Sequence, residues 1–504
     1  MEATSKANIK ERRVMYITSI RRQDNNRIFN STRLMNDDED HIDATIPRIS
    51  IKDEIDIAER DFSNQEVLTN PNKLEKSIEH LRELLTNVSE DDRDDLISAL
   101  FDNGVWKVIF KLLEKFRKEN NVRIVREITW IIQVILASST DLVAKTIDLG
   151  IYSIYFNLIQ TNDFEVLENV IWGYANLVVD NREVRDTFED VGIMNLITDR
   201  ILEINQSSFN KELLRVFYLF LDYYFNMKPF FDFERMQNHV DFSLKLLNNY
   251  TSDQLKSLMQ ELLGFLSVAT LVAEKENLEM ISDQGWDVFV SKMIELHQSD
   301  DLEIVKRSTE ILTNLTFFNF DRNDILLQGS FMKSLTENLE KEICLEQTLQ
   351  LCSNISCCAR EFLDAMAKEN LIIVILMKIK LITFMSEKLF ILLNYLDKIL
   401  FDCHSQFIFF QLSNNTSLIG EVIEKINMKL PDHTMLAIGR VLNDIFAMGE
   451  RAVEDNLVML NPFTDFVEKN PNLIKAIEYA QMYSSEDIYM AFQTLVETYF
   501  DQGI

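Results

Sequence analysis

Apolar residues recur along most of this chain with the spacing of α-helices. From Pro71 onward, Leu74, Ile78, Leu81 and Leu85 follow one another every three or four residues, which places them on one helical face. The 504 residues include only 11 glycines and 6 prolines, which leaves little material for hairpins or a sheet-rich fold. The pattern therefore predicts an all-α protein.

A longer period groups the predicted helices into repeats. Five glycines each follow an acidic or amide-rich helix end and precede an apolar stretch, at intervals of 46, 42, 93 and 44 residues. They are Gly104, Gly150, Gly192, Gly285 and Gly329. Glycine there supplies the left-handed residue that ends a helix, and Asn238 and Asn370 fill this role where glycine is missing. A helical period of about 40 to 47 residues is typical of armadillo and HEAT repeats, which predicts one continuous solenoid.

Several classes of protein are disfavoured. The apolar run 371–377 is far shorter than a membrane span, and residues 1–6 lack the apolar core of a secretory signal. The five cysteines form no CxxC pair, so we interpret them as buried thiols in a reducing, intracellular compartment. No HExxH, phosphate loop or GxSxG motif occurs. We expect no enzyme, metal or cofactor, and the alternative is an enzyme with a hidden site.

Charge divides the chain into an arm and a body. The whole sequence has 51 basic and 81 acidic residues, net −30, whereas residues 1–35 have eight basic and three acidic residues. The remainder therefore carries a net charge of −35, which attracts cationic partners and disfavours nucleic acid. We predict a basic arm at 1–35, a flexible acidic linker at 36–66 and a repeat domain at 67–504. The alternative is that the first 70 residues are simply a disordered tail.

Seven pairs of residues four positions apart recur in phase with the repeat, in its last helix. The two members of a pair share one helical face. The pairs are Trp130/Val134, Trp172/Asn176, Tyr218/Asp222, Phe265/Ala269, Glu310/Asn314, Gln350/Asn354 and Phe390/Asn394. Their first members are 42, 46, 47, 45, 40 and 40 residues apart.

Aligned pairs of this kind suit the binding of an extended basic peptide. Aromatic faces one repeat apart form slots for the alkyl stems and cationic heads of lysine or arginine. Carboxamides hydrogen-bond a peptide main chain, and a carboxylate such as Asp180 fixes an ammonium group. A single Trp with Asn one turn later more often packs on its own neighbours, but seven pairs in phase favour binding.

Four segments resemble the importin alpha family of nuclear-import adaptors. Residues 170–186, with Trp172, Asn176 and Asp180, are similar to its third armadillo repeat. Residues 227–233 resemble the Lys-Pro stretch after the fourth-repeat pocket, and 353–356 resemble a Ser-Asn-Ile of the minor site. Residues 447–500 resemble the closing repeat in order and spacing.

The resemblance implies a right-handed superhelix of about ten armadillo repeats. Its concave groove would hold nuclear localisation signals of cargo proteins, at a major site in repeats two to four and a minor site in repeats six to eight. The basic arm, in which Arg12-Arg13 and Arg21-Arg22 resemble the importin-beta-binding segment of the family, would bind importin beta or fold back into the groove. An export carrier and nucleoporins are further implied partners, and the protein would shuttle between cytoplasm and nucleus without inserting into membranes.

The resemblance also implies which residues of this chain would form each site, by their positions in the matching repeats. The major site would use Trp130, Ser138, Trp172, Asn176, Asp180, Tyr218, Asp222 and Phe265. The minor site would use Glu310, Asn314, Asn354, Phe390 and Asn394. The arm would use Lys10, Arg12, Arg13, Arg21, Arg22 and Arg27.

Departures from the family lie on functional positions. Val134 replaces an asparagine, Ser138 a glycine and Glu310 an arginine, and the second basic cluster of the arm is thinned. We therefore expect a looser major site and weaker autoinhibition than in the family. The alternative function is an armadillo scaffold for other extended peptides, in the manner of the catenins. Such grooves bind acidic peptides through Lys and Arg, whereas these last helices offer aromatics, Asn and Asp.

Overall fold

The computed structural model describes residues 51–500 except 89, 180, 208, 279–285, 318–322, 328–329, 384–385, 402, 428–429 and 483–484. Every regular element among the described residues is helical, and no strand occurs there. The prediction of an all-α fold is confirmed.

The first five repeats contain three helices each. The first two repeats comprise α1 Ile51–Ser63, α2 Gln65–Thr69, α3 Pro71–Asn87, α4 Glu90–Asp102, α5 Val105–Lys118 and α6 Val122–Leu136. The next two comprise α7 Thr140–Asp148, α8 Ile151–Leu158, α9 Phe164–Val178, α10 Arg182–Asp190, α11 Ile193–Ser207 and α12 Lys211–Phe225. The fifth comprises α13 Phe233–Asn249, α14 Ser252–Leu255 and α15 Met259–Val272, with a 3₁₀ turn Lys256–Leu258 before α15.

The second half continues the series. The sixth and seventh repeats contain α16 Trp286–Leu296, α17 Leu302–Thr316, a 3₁₀ turn Asn323–Leu327, α18 Phe331–Lys341 and α19 Leu345–Ser356. The eighth contains α20 Arg360–Lys368, α21 Leu371–Leu381 and α22 Glu387–Leu400. The ninth contains α23 Gln406–Ser413, α24 Thr416–Glu424, a 3₁₀ turn Lys425–Asn427 and α25 Asp432–Glu454. The last contains α26 Pro462–Glu468, α27 Pro471–Ala480 and α28 Glu486–Tyr499.

The last helix of each repeat, here called its third helix, packs on the third helix of the next repeat. This column runs through α3, α6, α9, α12, α15, α17, α19, α22, α25 and α28. One apolar core continues beneath it from Ala58 to Phe500. Each repeat thus buries its apolar surface on its neighbours, which is how a solenoid is stabilised.

Left-handed residues end helices at four of the predicted positions. Gly104, Gly150 and Gly192 have φ of 75°, 82° and 72°, and Asn370 has φ of 60°. The same prediction for Asn238 is wrong, because that residue lies inside α13, where the apolar helical spacing continues on both sides of it. Gly285 and Gly329 lie outside the described residues.

The repeat domain begins earlier than the sequence predicted. The Asn70 side chain accepts hydrogen bonds from the start of α3, whose buried residues are the predicted Leu74, Ile78, Leu81 and Leu85. However, α1 and α2 occupy part of the predicted linker 36–66, and α1 packs on α4 and α5. The correction has a simple cause: Ala58 and Phe62, which are 6% and 2% exposed, lie four residues apart on one face of α1 and give that helix a short buried apolar stripe.

Two further features differ from expectation. The stretch Ser252–Val272 is long and apolar enough to span a membrane by composition, but 72% of its most apolar window is buried inside the protein, as in a core helix. Among the cysteines, Cys352 and Cys403 are buried as predicted, whereas Cys357 is exposed because it follows the end of α19.

Candidate functional site

All seven predicted pairs lie in third helices, in α6, α9, α12, α15, α17, α19 and α22. The register of these helices is fixed locally by their caps. The side chains of Asn121, Asp163 and Asp301 cap α6, α9 and α17, each nine residues before the first member of its pair. An N-cap side chain that accepts backbone N–H groups ends the preceding loop at a defined residue. Equal cap-to-pair spacing therefore gives equivalent positions in these three repeats.

Trp130 and Trp172 form the aromatic part of the site and lie on the adjacent helices α6 and α9. Trp130 is half-buried, and Trp172 is 7% exposed. The guanidinium of Arg82 lies 5.3 Å from the Trp130 ring centroid, and that of Arg215 lies 5.2 Å from the Trp172 ring centroid. The protein's own cations thus show that both rings accept a cation at contact distance.

Asn176 lies one turn after Trp172 and bridges two repeats. Its Nδ2 donates to the Gln133 carbonyl oxygen on α6, at 3.2 Å. The side chain is half-buried, and its amide has no second partner among the described residues. Its carbonyl oxygen and second N–H therefore remain able to pair with a peptide main chain. Asp180, the predicted carboxylate of this site, lies outside the described residues.

Ser138 follows the end of α6 and is half-buried. Its hydroxyl donates to the Val134 carbonyl oxygen at 3.2 Å, within its own helix end. This predicted major-site position is therefore occupied by an internally bonded hydroxyl.

Tyr218 and Phe265 do not line the solvent face of the column, contrary to the prediction. Both are fully buried, and the Tyr218 hydroxyl pairs with the Ser243 hydroxyl at 3.0 Å. The ring of Tyr218 is parallel to that of Phe242, with 6.5 Å between centroids. Helix α12 is buried along nearly its whole length, so neighbouring helices enclose these rings on every side.

Asp222, the predicted partner of Tyr218, is 9% exposed. Asn226 donates to its Oδ1 at 3.3 Å. A β-carbon at Gly264 would lie 2.8 Å from its Oδ2, so α12 and α15 approach closely around this carboxylate. Asp222 is therefore a packed interhelical group with little surface for a ligand.

The predicted minor site begins with Glu310 and Asn314 on α17, and both are engaged by α15. Ser267 donates its hydroxyl to Glu310 at 3.0 Å. Asn314 donates its amide to the carbonyl oxygen of Ser267 and the hydroxyl of Thr270, both at 3.2 Å. These two residues connect repeats, as Asn176 does.

Asn354, Phe390 and Asn394 complete the predicted minor site. Asn354 donates to the Thr313 carbonyl oxygen at 2.9 Å and accepts from Gln350 at 2.7 Å. Phe390 is half-buried, with its ring edge-on to His433 at 4.6 Å. Asn394 is half-buried, and its amide has no partner within the described part of the chain. Of the minor-site amides, Asn394 is the one whose full hydrogen-bonding capacity is available.

Ion pairs connect the third helices along the same column. Arg82 donates to both carboxylate oxygens of Glu127, at 3.1 and 2.9 Å. Arg126 donates to Asp163 on the next third helix at 2.9 Å. Arg307 contacts Glu310 at 3.6 Å within α17. These three arginines of the column are therefore paired with carboxylates.

Two half-buried carboxyls, those of Glu168 and Glu261, interact electrostatically with Arg215. Burial raises the pKa of Glu168 to about 7, against the opposing effect of Arg215. Burial likewise raises the pKa of Glu261 to about 7, although Arg215 lies 3.5 Å away. Desolvation penalises the charged carboxylate more than one arginine compensates. Near neutral pH these two groups therefore change charge.

Sequence reasoning missed Arg82 and Arg215. Neither residue belongs to the seven pairs, and no repeated spacing marks either one. Long side chains reach into a neighbouring repeat, so their contacts depend on rotamers and not on the helical period. The six predicted arm residues, Lys10, Arg12, Arg13, Arg21, Arg22 and Arg27, lie outside the described residues.

Comparison with solved structures shows the fold. An engineered protein aligns over 88% of this chain and 98% of its own, at a TM-score of 0.63 and 15% identity. A second solved structure concerns a phosphorylation switch that controls the interaction between cadherin and beta-catenin. One of its chains aligns over 90% of this chain and 92% of its own, at a TM-score of 0.57 and 10% identity. A designed armadillo repeat protein covers 52% of this chain at a TM-score of 0.40. The sequence matches no protein-family model and none of the curated proteins.

The protein is thus an all-α solenoid of armadillo-type repeats. At 10 to 15% identity the likeness extends to the fold alone. A shared fold does not determine function, which depends on the residues of the third-helix column.

Proposed function

We propose that this protein binds an extended basic peptide along its third-helix column, with one basic side chain between Trp130 and Trp172. The observation behind this proposal is that both rings hold an arginine of the protein at about 5 Å while Asn176 beside them keeps main-chain hydrogen-bonding capacity. A net charge of −30 favours a cationic ligand over an anionic one. The role is that of a binding protein and not of an enzyme.

The biological role that we propose is that of a nuclear-import adaptor. The bound peptide would be the localisation signal of a cargo protein, and the basic arm 1–35 would bind importin beta. Support comes from the four segments that resemble importin alpha and from the charge contrast between arm and body. Shuttling between cytoplasm and nucleus, return by an export carrier and contact with nucleoporins belong to the same proposal.

The alternative, a scaffold for acidic peptides, has one observation in its favour. The third helices do carry arginines, among them Arg82, Arg126 and Arg215. Each of these is paired with a carboxylate on its own or a neighbouring third helix, however. An acidic peptide would have to displace the protein's own carboxylates from these arginines. A basic peptide could pair with the carboxylates while those ion pairs remain. The pairing therefore favours the basic ligand.

The binding proposal is tested by fluorescence anisotropy with a labelled decapeptide rich in lysine and arginine. Trp130→Ala should weaken binding about fivefold to tenfold, because a cation–π contact and its apolar area are lost. Phe156→Ala is the matched control, since Phe156 is an aromatic on α8, outside the column, and is 45% exposed. Equal affinities for the Trp130 variant and the wild type, or tighter binding of an acidic decapeptide, would refute the proposal.

The adaptor role is tested separately with purified importin beta. The full chain should capture importin beta in a pull-down, and a chain lacking residues 1–35 should not. In permeabilised cells, the full chain with importin beta should carry a fluorescent cargo bearing the basic decapeptide into nuclei. A chain that binds the peptide but neither captures importin beta nor supports import is a peptide-binding scaffold.

A further inference from the structure

Each tryptophan of the site has a ring face covered by an arginine from outside the pair. Arg82 belongs to α3, which precedes α6, and Arg215 belongs to α12, which follows α9. The two arginines therefore lie on opposite ends of the Trp130–Trp172 pair. Within the described part of the chain, no third cation lies over either ring.

Arg215 is held firmly in its position. Its side chain is 12% exposed, its Nε lies 3.1 Å from a Glu212 oxygen, and its Nη1 lies 3.5 Å from a Glu261 oxygen. Glu261 is itself 10% exposed, so water screens this pair weakly. The Trp172 ring and the nearly buried Glu261, with a smaller contribution from the exposed Glu212, therefore keep the guanidinium in place against an incoming cation.

Beyond Arg215 the row of aromatic rings is interrupted. Tyr218, three residues further along α12, points into the core and pairs with Ser243. Arg215 thus occupies the position on this face where an aromatic side chain of α12 would be needed to form a second slot with Trp172. A ligand side chain arriving between α9 and α12 meets a guanidinium where the repeat pattern predicts a ring.

We infer that the groove accepts one basic side chain at the Trp130–Trp172 pair, and that Arg215 determines specificity by excluding a second basic side chain from the far face of Trp172. This inference rests on the proposed binding of basic peptides. It concerns how many basic residues the site recognises and where they stand in the ligand.

The distance between neighbouring third helices also indicates how far along the peptide Arg215 excludes a second basic residue. Packed helices lie about 8 to 10 Å apart, and an extended peptide rises about 3.3 Å per residue. Neighbouring slots therefore meet ligand residues that are two or three positions apart. A second lysine at that distance from the first, on the α12 side, faces Arg215.

The test uses the full chain and the lysine- and arginine-rich decapeptide, with each basic residue of the peptide replaced by alanine in turn. With wild-type protein, one peptide position should dominate at this site, with a loss of about tenfold. Arg215→Gln should bind the parent peptide about fivefold more tightly. It should also create a second sensitive position, two or three residues from the first, because the freed ring face now accepts a cation.

Arg126→Gln is the matched control. It removes the same charge from the same column, but Arg126 pairs with Asp163 and makes no ring contact among the described residues. It should create no new sensitive position. Because Arg215→Gln leaves Glu261 unpaired, a Glu261→Gln/Arg215→Gln double variant is tested in parallel, and thermal melts check that each variant is folded.

The outcomes separate the two proposals. If wild-type protein binds the peptide but neither Arg215 variant gains affinity or a second sensitive position, the inference is wrong and the binding proposal stands. A gain of the same size in Arg126→Gln would likewise overturn it, since the effect would then be one of net charge alone. If no form binds the peptide, both proposals fail.

Discussion

Asn176 donates its amide to the carbonyl oxygen of Gln133 on the preceding third helix, at 3.2 Å. Asn314 and Asn354 repeat this contact with Ser267 and Thr313, at 3.2 and 2.9 Å. The asparagines that suggested peptide binding therefore also connect successive repeats. Each amide thus uses donor capacity inside the protein, so a ligand can pair only with the groups that remain.

Replacing such an asparagine should weaken the contact between two repeats. Asn314 is 7% exposed and donates to both Ser267 and Thr270. Asn314→Ala should destabilise the protein by about 1 to 2 kcal/mol, because buried acceptors lose their donor. Asn394→Ala, which removes a half-buried amide without a partner in the described region, should change stability little. Urea midpoints compare the two variants, and equal shifts would contradict a bridging role.

The close approach of Gly173 to Tyr155 gives a second prediction. A β-carbon at Gly173 would lie 2.4 Å from Tyr155 Cε2, and Tyr155 is fully buried. Gly173→Ala should therefore destabilise the protein by about 1 to 3 kcal/mol through overpacking, despite the better helix propensity of alanine.

Gly104→Ala is the comparison for Gly173→Ala. Gly104 has φ of +75°, and no atom lies within 4 Å of where its β-carbon would be. Gly104→Ala should therefore destabilise the protein by about 1 kcal/mol, through backbone strain alone. Thermal melts of both variants measure the difference. A stabilised Gly173→Ala protein would show that Tyr155 moves aside freely.

The buried face of a helix could be predicted from the sequence in some helices and not in others. In α3 the buried residues Leu74, Ile78, Leu81 and Leu85 form one stripe, so both the helix and its buried face were predicted. In α12 nearly every residue from Leu213 to Phe225 is buried, so hydrophobic spacing no longer tells which side faces solvent. The repeat period predicted the helical position of Tyr218 correctly but not the direction of its ring.

His297 provides a pH-dependent prediction. Its Nε2 accepts from Asn338 Nδ2 at 3.1 Å, and its Nδ1 pairs with the Thr309 hydroxyl at 2.9 Å. Since an amide nitrogen only donates, the ring is neutral with its proton on Nδ1. Burial lowers the pKa of His297 to about 4.

The unfolded chain binds a proton at this histidine below its ordinary pKa of about 6.5, whereas the folded chain does so only near 4. Folding stability from His297 is therefore present above pH 6.5 and is lost as the pH falls to 4, by about 3 kcal/mol at most. His297→Gln should remove this part of the pH dependence. Urea midpoints at pH 7 and 4.5 measure it, and identical pH dependence in both proteins would contradict the prediction.

Glu168 makes peptide binding itself depend on pH. It lies one turn before Trp172 on α9, and burial raises its pKa to about 7. The carboxyl is largely neutral at pH 6 and charged at pH 8, so affinity for the basic decapeptide should rise about threefold to tenfold between them. Anisotropy titrations measure this ratio. Glu168→Gln should reduce it, whereas Glu165→Gln, which removes an exposed carboxylate of the same helix, should not. An unchanged ratio in Glu168→Gln would show that another group controls the pH response.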